Sequence, residues 1–150
     1  MFAVAYSATR MVLVAAIEWG PLLAIREATA RAAGWLVRPF VESVAISGCS
    51  IVAGDSVTTV SETCFPVSWL ALGIALVLAS GRIRPAAKLL WCAVMVPFVL
   101  VLNVPRVAVV ALLAERHSVL LEPVHRGILP AAGALATVLI WLLAERLDSR

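Results

Sequence analysis

Four polar side chains stand within or beside long apolar stretches of the chain: Cys64, Asn103, Arg106 and His125. A thiolate attacks a carbonyl carbon, an imidazole transfers the proton, and a guanidinium stabilises the oxyanion that forms. An asparagine three residues before the arginine lies on the same helical face and adds a hydrogen-bonding group. These residue types predict cysteine-peptidase chemistry without an obligatory aspartate.

Arg106 interrupts an apolar stretch that runs from residue 89 to residue 114. An arginine at the centre of a membrane helix costs about 2.5–3.5 kcal/mol on insertion scales, so it is expected to face a bundle interior or a wet cavity. Pro105 removes an intrahelical hydrogen bond and frees a carbonyl, which concentrates polar groups between Asn103 and Arg106. The alternative is an arginine near the helix end whose guanidinium reaches water.

Cys64 stands where a polar stretch meets an apolar one, and Pro66 is typical of a first helical turn. A thiol at a helix N-terminus is stabilised as the thiolate by the helix dipole. The alternatives are a buried, inert cysteine and a disulfide between Cys64 and Cys49. His125 precedes the last apolar segment and has a solvated loop histidine as its alternative. The other histidine, His117, follows a charged pair and is interpreted as a surface residue.

The composition predicts an integral membrane protein. Of the 150 residues, 63% are hydrophobic and 14% are charged, whereas soluble domains average about 45–50% apolar and about 25% charged residues. The net charge of +3 comes without a Lys/Arg block, so a nucleic-acid-binding protein is excluded. The three cysteines form no CxxC pair and no Cys/His zinc spacing, and we predict no metal and no cofactor.

Three segments without charged side chains are long enough to cross the hydrocarbon core of a membrane. They are residues 65–81, 89–105 and 128–144. A fourth segment, residues 2–25, is a weaker candidate because it contains Arg10 and Glu18. It lacks the cleavage pattern of a signal peptide, and we predict a retained membrane helix there.

Charge in the short loops predicts the orientation. Residues 81–88 contain three basic side chains and no acidic one, so this loop is expected to face the cytoplasm. Counting four spans then places both chain termini in the cytoplasm. It also places Cys64, the loop 115–127 and His125 on the outer side.

Two further elements are predicted between the first two spans. Within residues 26–40, one helical face contains Glu27, Arg31 and Arg38, and Ala28, Ala32, Trp35 and Leu36 lie near another. This pattern indicates an amphipathic helix on the outer surface, with continuation of the first span as the alternative. Residues 41–63 alternate β-branched with small polar residues, and Gly48 and Gly54-Asp55 favour turns, which predicts a short β-hairpin.

The sequence therefore predicts an all-α integral membrane protein that forms a single transmembrane domain over residues 1–150. It contains about four transmembrane helices, an outer-face amphipathic helix and a short outer-face β-hairpin. The lipid bilayer is an expected partner. The sequence does not indicate an oligomeric state.

The chain resembles a short member of the exosortase/archaeosortase family of membrane-embedded cysteine transpeptidases. The resemblance covers about residues 28–130. It rests on a surface helix followed by a hairpin, on Cys64 opening a membrane helix, on Asn103 and Arg106 in NVPR, and on His125 in VHRGI. Phe65-Pro66 stand where the family usually has a small residue and a glycine.

The resemblance implies that Cys64 is the nucleophile and His125 the general acid/base. It implies that Arg106 stabilises the oxyanion or orients the substrate, and that Asn103 is a supporting hydrogen-bonding residue. Substrates of the family carry a C-terminal sorting tag, made of a short motif, a transmembrane helix and a basic tail. The enzyme cuts near the motif at the outer membrane–water interface. The alternatives are a non-catalytic scaffold that binds such a helix and a small transporter subunit in which Arg106 lines a polar path.

Overall fold

A computed structural model describes residues 2–16, 20–61, 64 and 66–148, and most of these are helical. The elements in chain order are helices α1 (Phe2–Ala16) and α2 (Gly20–Val37), a 3₁₀ turn (Arg38–Phe40), strands β1 (Val44–Ser47), β2 (Ser50–Ala53) and β3 (Ser56–Thr59), and helices α3 (Val67–Ala79), α4 (Pro85–Glu115) and α5 (Leu121–Asp148). The segment Val124–Ile128 of α5 is a π-helical turn.

The chain divides into two compact units. The helical unit comprises Met1–Ala16, Pro66–Leu100 and Ala132–Arg150, and the mixed unit comprises Ile17–Phe65 and Val101–Ala131. Helices α4 and α5 each supply residues to both units. The four candidate site residues all belong to the mixed unit.

Two helices in the described part of the chain are long and apolar enough to cross a membrane, α4 and α5. At about 1.5 Å per residue, α4 is longer than the hydrocarbon core, which is about 30 Å thick. The predicted span 65–81 instead forms the 13-residue helix α3, which is shorter than that core. The predicted span 2–25 corresponds to α1 and the start of α2, and its residues 17–19 lie outside the described part. The prediction of about four membrane helices is therefore not confirmed.

In the helical unit, a glycine leaves room for a large aromatic side chain. Trp69 of α3 is buried with Leu70 and Val99. A Cβ atom on Gly133 would occupy the space of the Trp69 ring. The glycine therefore allows α5 to approach this indole at a distance that no larger residue permits.

Side-chain hydrogen bonds connect the loop before α4 to the end of α5 within the helical unit. Ser80 Oγ bonds Glu145 Oε1 at 2.5 Å, and Arg84 Nη2 donates to Asp148 Oδ1 at 2.8 Å. Helix α4 begins at Pro85, a residue favoured in the first helical turn. The predicted basic loop 81–88 is therefore shorter than expected, and Lys88 lies on α4.

In the mixed unit, α2 packs against the sheet through small residues at helical spacing. Ala30, Ala33 and Val37 are fully buried with Ile51 of β2, and Gly34 lets α2 approach the side chain of Ile46. A helix is thus confirmed in the predicted segment 26–40. It begins at Gly20, however, and ends at Val37 before the 3₁₀ turn.

The sequence missed the buried face of α2. The predicted apolar face is exposed, including Trp35, which is 66% exposed and lies under the Arg38 guanidinium at 4.6 Å. Trp35 shares a surface groove of about 350 Å³ with Glu27, Arg31 and Arg38. The helix therefore has a polar and aromatic outer face and a buried face of alanine, glycine and valine.

The predicted β-hairpin is a three-stranded antiparallel sheet in the order β1-β2-β3. Ser47 pairs with Ser50 across the first turn, and Ala53 pairs with Ser56 across the second. The turn residues Gly48 and Gly54 have φ angles of +55° and +57°, which glycine adopts without the strain of a side chain. Both turns were predicted, but a hairpin was one strand too few, because two turns connect three strands.

We predict that Gly133→Ala destabilises the helical unit by about 1–3 kcal/mol, because an added methyl group must displace the Trp69 ring. Thermal unfolding of the purified protein in detergent, followed by circular dichroism, measures the change. Gly81→Ala is the matched control, since a Cβ there meets no atom within 4 Å. Equal midpoints for the two variants would contradict this packing.

Candidate functional site

Hydrogen bonds hold the segment that leads from β3 to Cys64. Val60 N donates to Cys49 O at 2.8 Å, and Arg26 Nε of α2 donates to Val60 O at 2.9 Å. Cys64 N then donates to Ser61 O at 3.0 Å. The sheet and α2 therefore hold Val60, and the next residue, Ser61, is hydrogen-bonded to Cys64.

Cys64 is buried in the apolar core of the mixed unit. It is 8% exposed and packs in one cluster with Val107, Ala108 and Val104 of α4. Helix α3 begins at Val67 with Pro66 as its N-cap, so Pro66 precedes the first helical residue instead of occupying it. The three cysteines are free thiols.

Arg106 connects Cys64 to α4. Its Nη1 donates to the backbone oxygen of Cys64 at 3.1 Å and to Asn103 Oδ1 at 3.3 Å. A guanidinium keeps its charge in proteins, so burying it requires hydrogen-bond acceptors around it. Cys64 and Asn103 supply two of these acceptors. The expectation that Asn103 and Arg106 share one helical face and face the interior agrees with these contacts.

Asn103 is the largest polar side chain among the fully buried residues of the mixed unit, at 1% exposure. Its Oδ1 atom accepts from Arg106. Its Nδ2 atom is buried and has no hydrogen-bond partner in the described part of the chain. Buried polar groups in this state are uncommon and call for a functional or structural reason.

His125 lies inside a helix and not in the predicted loop 115–127. Helix α4 ends at Glu115 and α5 already begins at Leu121. The residue is half-buried in the π-helical turn Val124–Ile128, a rare geometry that is frequent at functional sites. The charges of Arg106, Glu122 and Arg126 act on its imidazole.

His117 has a structural position at the end of α4. It is exposed and has a φ angle of +46°. Its N–H donates to Ala114 O and the N–H of Ser118 donates to Leu113 O, the pattern of a Schellman cap. This agrees with its interpretation as a surface residue.

The mixed unit thus gathers the four residues that the sequence singled out. Cys64, Asn103 and Arg106 share one hydrogen-bonded arrangement, and His125 interacts with it electrostatically. Within the described ranges, no three His, Cys, Asp or Glu side chains form a group suited to a metal ion. Sequence reasoning missed Arg26, because an arginine in a helix with a charged outer face gives no sign that it faces inward.

A comparison with protein-family models finds one described as transmembrane exosortase, which matches residues 1–128. The chain belongs to the transmembrane exosortase family. The match includes Cys64, Asn103, Arg106 and His125. Searches of curated proteins and of solved structures find no significant match. Exosortases are membrane-embedded cysteine transpeptidases, and the apolar helices α4 and α5 agree with a membrane protein.

In this exosortase, we predict that Arg26→Leu loosens the segment before Cys64. The change leaves the Val60 carbonyl without its donor, a loss of about 1 kcal/mol or more. Maleimide labelling of Cys64 should then accelerate about fivefold or more. Mass spectrometry in a Cys49→Ser, Cys92→Ser background measures the rate.

Arg31→Leu is the matched control for that substitution. Arg31 lies on the exposed face of the same helix and makes no side-chain hydrogen bond or ion pair with another described residue. Its substitution should leave the labelling rate unchanged. If Arg26→Leu also labels at the wild-type rate, Arg26 does not hold this segment.

Proposed function

We propose that this exosortase is a cysteine transpeptidase that removes a C-terminal sorting tag from exported proteins at the outer membrane–water interface. The tag consists of a short motif, a transmembrane helix and a basic tail. The observation that carries the proposal is the bridge from Arg106 Nη1 to the Cys64 backbone and to Asn103. It joins the half-buried arginine of α4 to the Cys64 backbone.

The proposed reaction begins when neutral His125 takes the proton of the Cys64 thiol. The thiolate attacks the carbonyl carbon of the scissile bond, and the carbonyl oxygen becomes an oxyanion that Arg106 stabilises. The tetrahedral intermediate collapses as the C–N bond breaks, and His125 returns its proton to the leaving amine. The tag departs, and the remaining substrate is held on Cys64 as a thioester. An acceptor nucleophile, an amine or water, then attacks the thioester and regenerates the thiol.

The location follows from the same proposal. The basic loop before α4 faces the cytoplasm, so the chain is a multi-pass protein of the cytoplasmic membrane with both termini inside. Cys64 and His125 then lie on the outer side. The exposed Trp35 beside Arg38 on α2 suits a membrane–water interface, where aromatic and basic side chains are enriched.

The first test is co-expression with a tagged protein from the same genome. Cys64→Ala should abolish tag removal, because no other group in the mechanism forms the thioester. Cys49→Ala and His117→Ala are the matched controls and should cleave as the wild type does, since their side chains have no role in the reaction. Immunoblotting against the substrate shows the size change.

Two outcomes would contradict the proposal. Equal cleavage by the wild type and all three variants would exclude Cys64 as the nucleophile. Intact substrate that co-purifies with every variant, the wild type included, would indicate a non-catalytic protein that binds the tag helix. A non-catalytic helix-binding protein is the main alternative to the proposal, because Phe65-Pro66 stand where the family usually has a small residue and a glycine.

Arg106→Lys should reduce cleavage about 10²-fold or more, because the compact ammonium cannot donate to two acceptors in the geometry of a guanidinium. The charge is retained, so the loss measures hydrogen-bond geometry. Arg116→Lys, on an exposed residue next to the end of α4, is the control and should cleave normally. Wild-type rates for Arg106→Lys would exclude a role for its paired hydrogen bonds.

A further inference from the structure

The orientation of the Asn103 amide is determined by Arg106. An amide oxygen accepts hydrogen bonds and an amide nitrogen donates them, whereas a guanidinium only donates. The atom that faces Arg106 Nη1 at 3.3 Å must therefore be Oδ1. The reversed orientation would place two donors against each other. The Nδ2 group consequently points away from the Arg106 contact with its hydrogens available.

This donor is costly to the resting protein. Asn103 is 1% exposed, and Nδ2 has no acceptor among the residues that the structure describes. A buried donor without an acceptor destabilises a fold more than replacement by an apolar group of the same shape. A leucine here would suit the surrounding valines and alanines of α4. An acceptor on a bound substrate would remove this cost.

The backbone next to the thiol is a poor source of oxyanion donors. Cys64 N already donates to Ser61 O at 3.0 Å. Pro66 has no N–H to donate, and Phe65 between them lies outside the described residues. In many acyl-transfer enzymes backbone N–H groups stabilise the oxyanion. Here the buried donors adjoining the Cys64 backbone come from the side chains of α4.

We infer that Asn103 is a catalytic residue whose Nδ2 group donates a hydrogen bond to the carbonyl oxygen of the scissile bond. This inference rests on the proposed function. The bond strengthens when the thiolate adds to the carbonyl carbon and the π electrons move onto the oxygen. It weakens again when the C–N bond breaks and the thioester carbonyl forms. Asn103 exchanges no proton and forms no covalent bond. Arg106 positions the amide through Oδ1.

Two substitutions separate this role from a purely structural one. Asn103→Asp keeps an oxygen for Arg106 and replaces the Nδ2 donor by a second acceptor. Asn103→Leu removes both groups and keeps the same branching at Cγ. We expect both variants to lower the rate of tag removal about 10²–10³-fold, the usual loss for one oxyanion donor. Single-turnover kinetics with purified enzyme and tagged substrate in detergent measure the rate.

A second readout detects damage to the fold or to the thiol. Alkylation of Cys64 by iodoacetamide displaces iodide from a saturated carbon and forms no oxyanion. In a Cys49→Ser, Cys92→Ser background, Asn103→Leu should therefore be alkylated within twofold of the wild-type rate. It should also retain co-purification of the substrate. A loss of cleavage with intact alkylation and binding assigns the defect to the carbonyl addition step.

Each other outcome overturns the inference in a different way. If Asn103→Asp cleaves at the wild-type rate, the amide serves only to hold Arg106. If alkylation falls in proportion to cleavage in Asn103→Leu, Asn103 is a structural residue of the core. A wild-type protein that does not cleave, or a Cys64→Ala variant that does, rejects the proposed function and this inference with it. Normal cleavage that depends on Cys64 but not on Asn103 rejects the inference alone.

Discussion

The half-buried charge of Arg106 is the constraint on which the mixed unit depends. A guanidinium in an apolar helix costs about 2.5–3.5 kcal/mol unless acceptors surround it. The Cys64 carbonyl and the Asn103 amide provide two acceptors. The hydrogen bond that stabilises the Arg106 guanidinium therefore also holds it against the Cys64 backbone.

The elements around the Arg106–Cys64 hydrogen bond hold the Cys64 backbone within bonding distance of Arg106. The turn after β3 is bonded to Cys49 O on one side and to Arg26 on the other. Arg26 reaches it because α2 lies close to the sheet, and α2 lies close because its inner face consists of alanines, valine and Gly34. Ser56 Oγ also donates to Ala114 O, which connects β3 to the end of α4. Close packing of these small residues therefore allows Arg26 to hold the Val60 carbonyl in place.

The candidate site was more predictable than the fold because polar residues in apolar surroundings are conspicuous in a sequence. Asn103 and Arg106 stand out within α4 for that reason. The inner face of α2 was not predictable, since alanine, glycine and threonine do not form a recognisable apolar stripe. The extent of α5 was missed because the last span was bounded by charged residues, whereas Glu122 and Arg126 lie inside the helix. The length of an uncharged segment also did not predict the length of its helix, as 65–81 and the shorter α3 show.

In the proposed mechanism His125 is the general base, and the charges of neighbouring side chains act on it. Glu122 is the acidic group whose charge acts on the imidazole. Its carboxylate is held at 2.8 Å by Arg126 Nε on the exposed side of α5, so its charge is largely neutralised there. The π-helical turn inserts an extra residue into this part of the helix. The direction in which the His125 side chain points is therefore not set by the helical register of the residues beyond Ile128. In the proposed mechanism, the backbone of α5 therefore positions His125, whereas an asparagine side chain orients the histidine of papain-like peptidases.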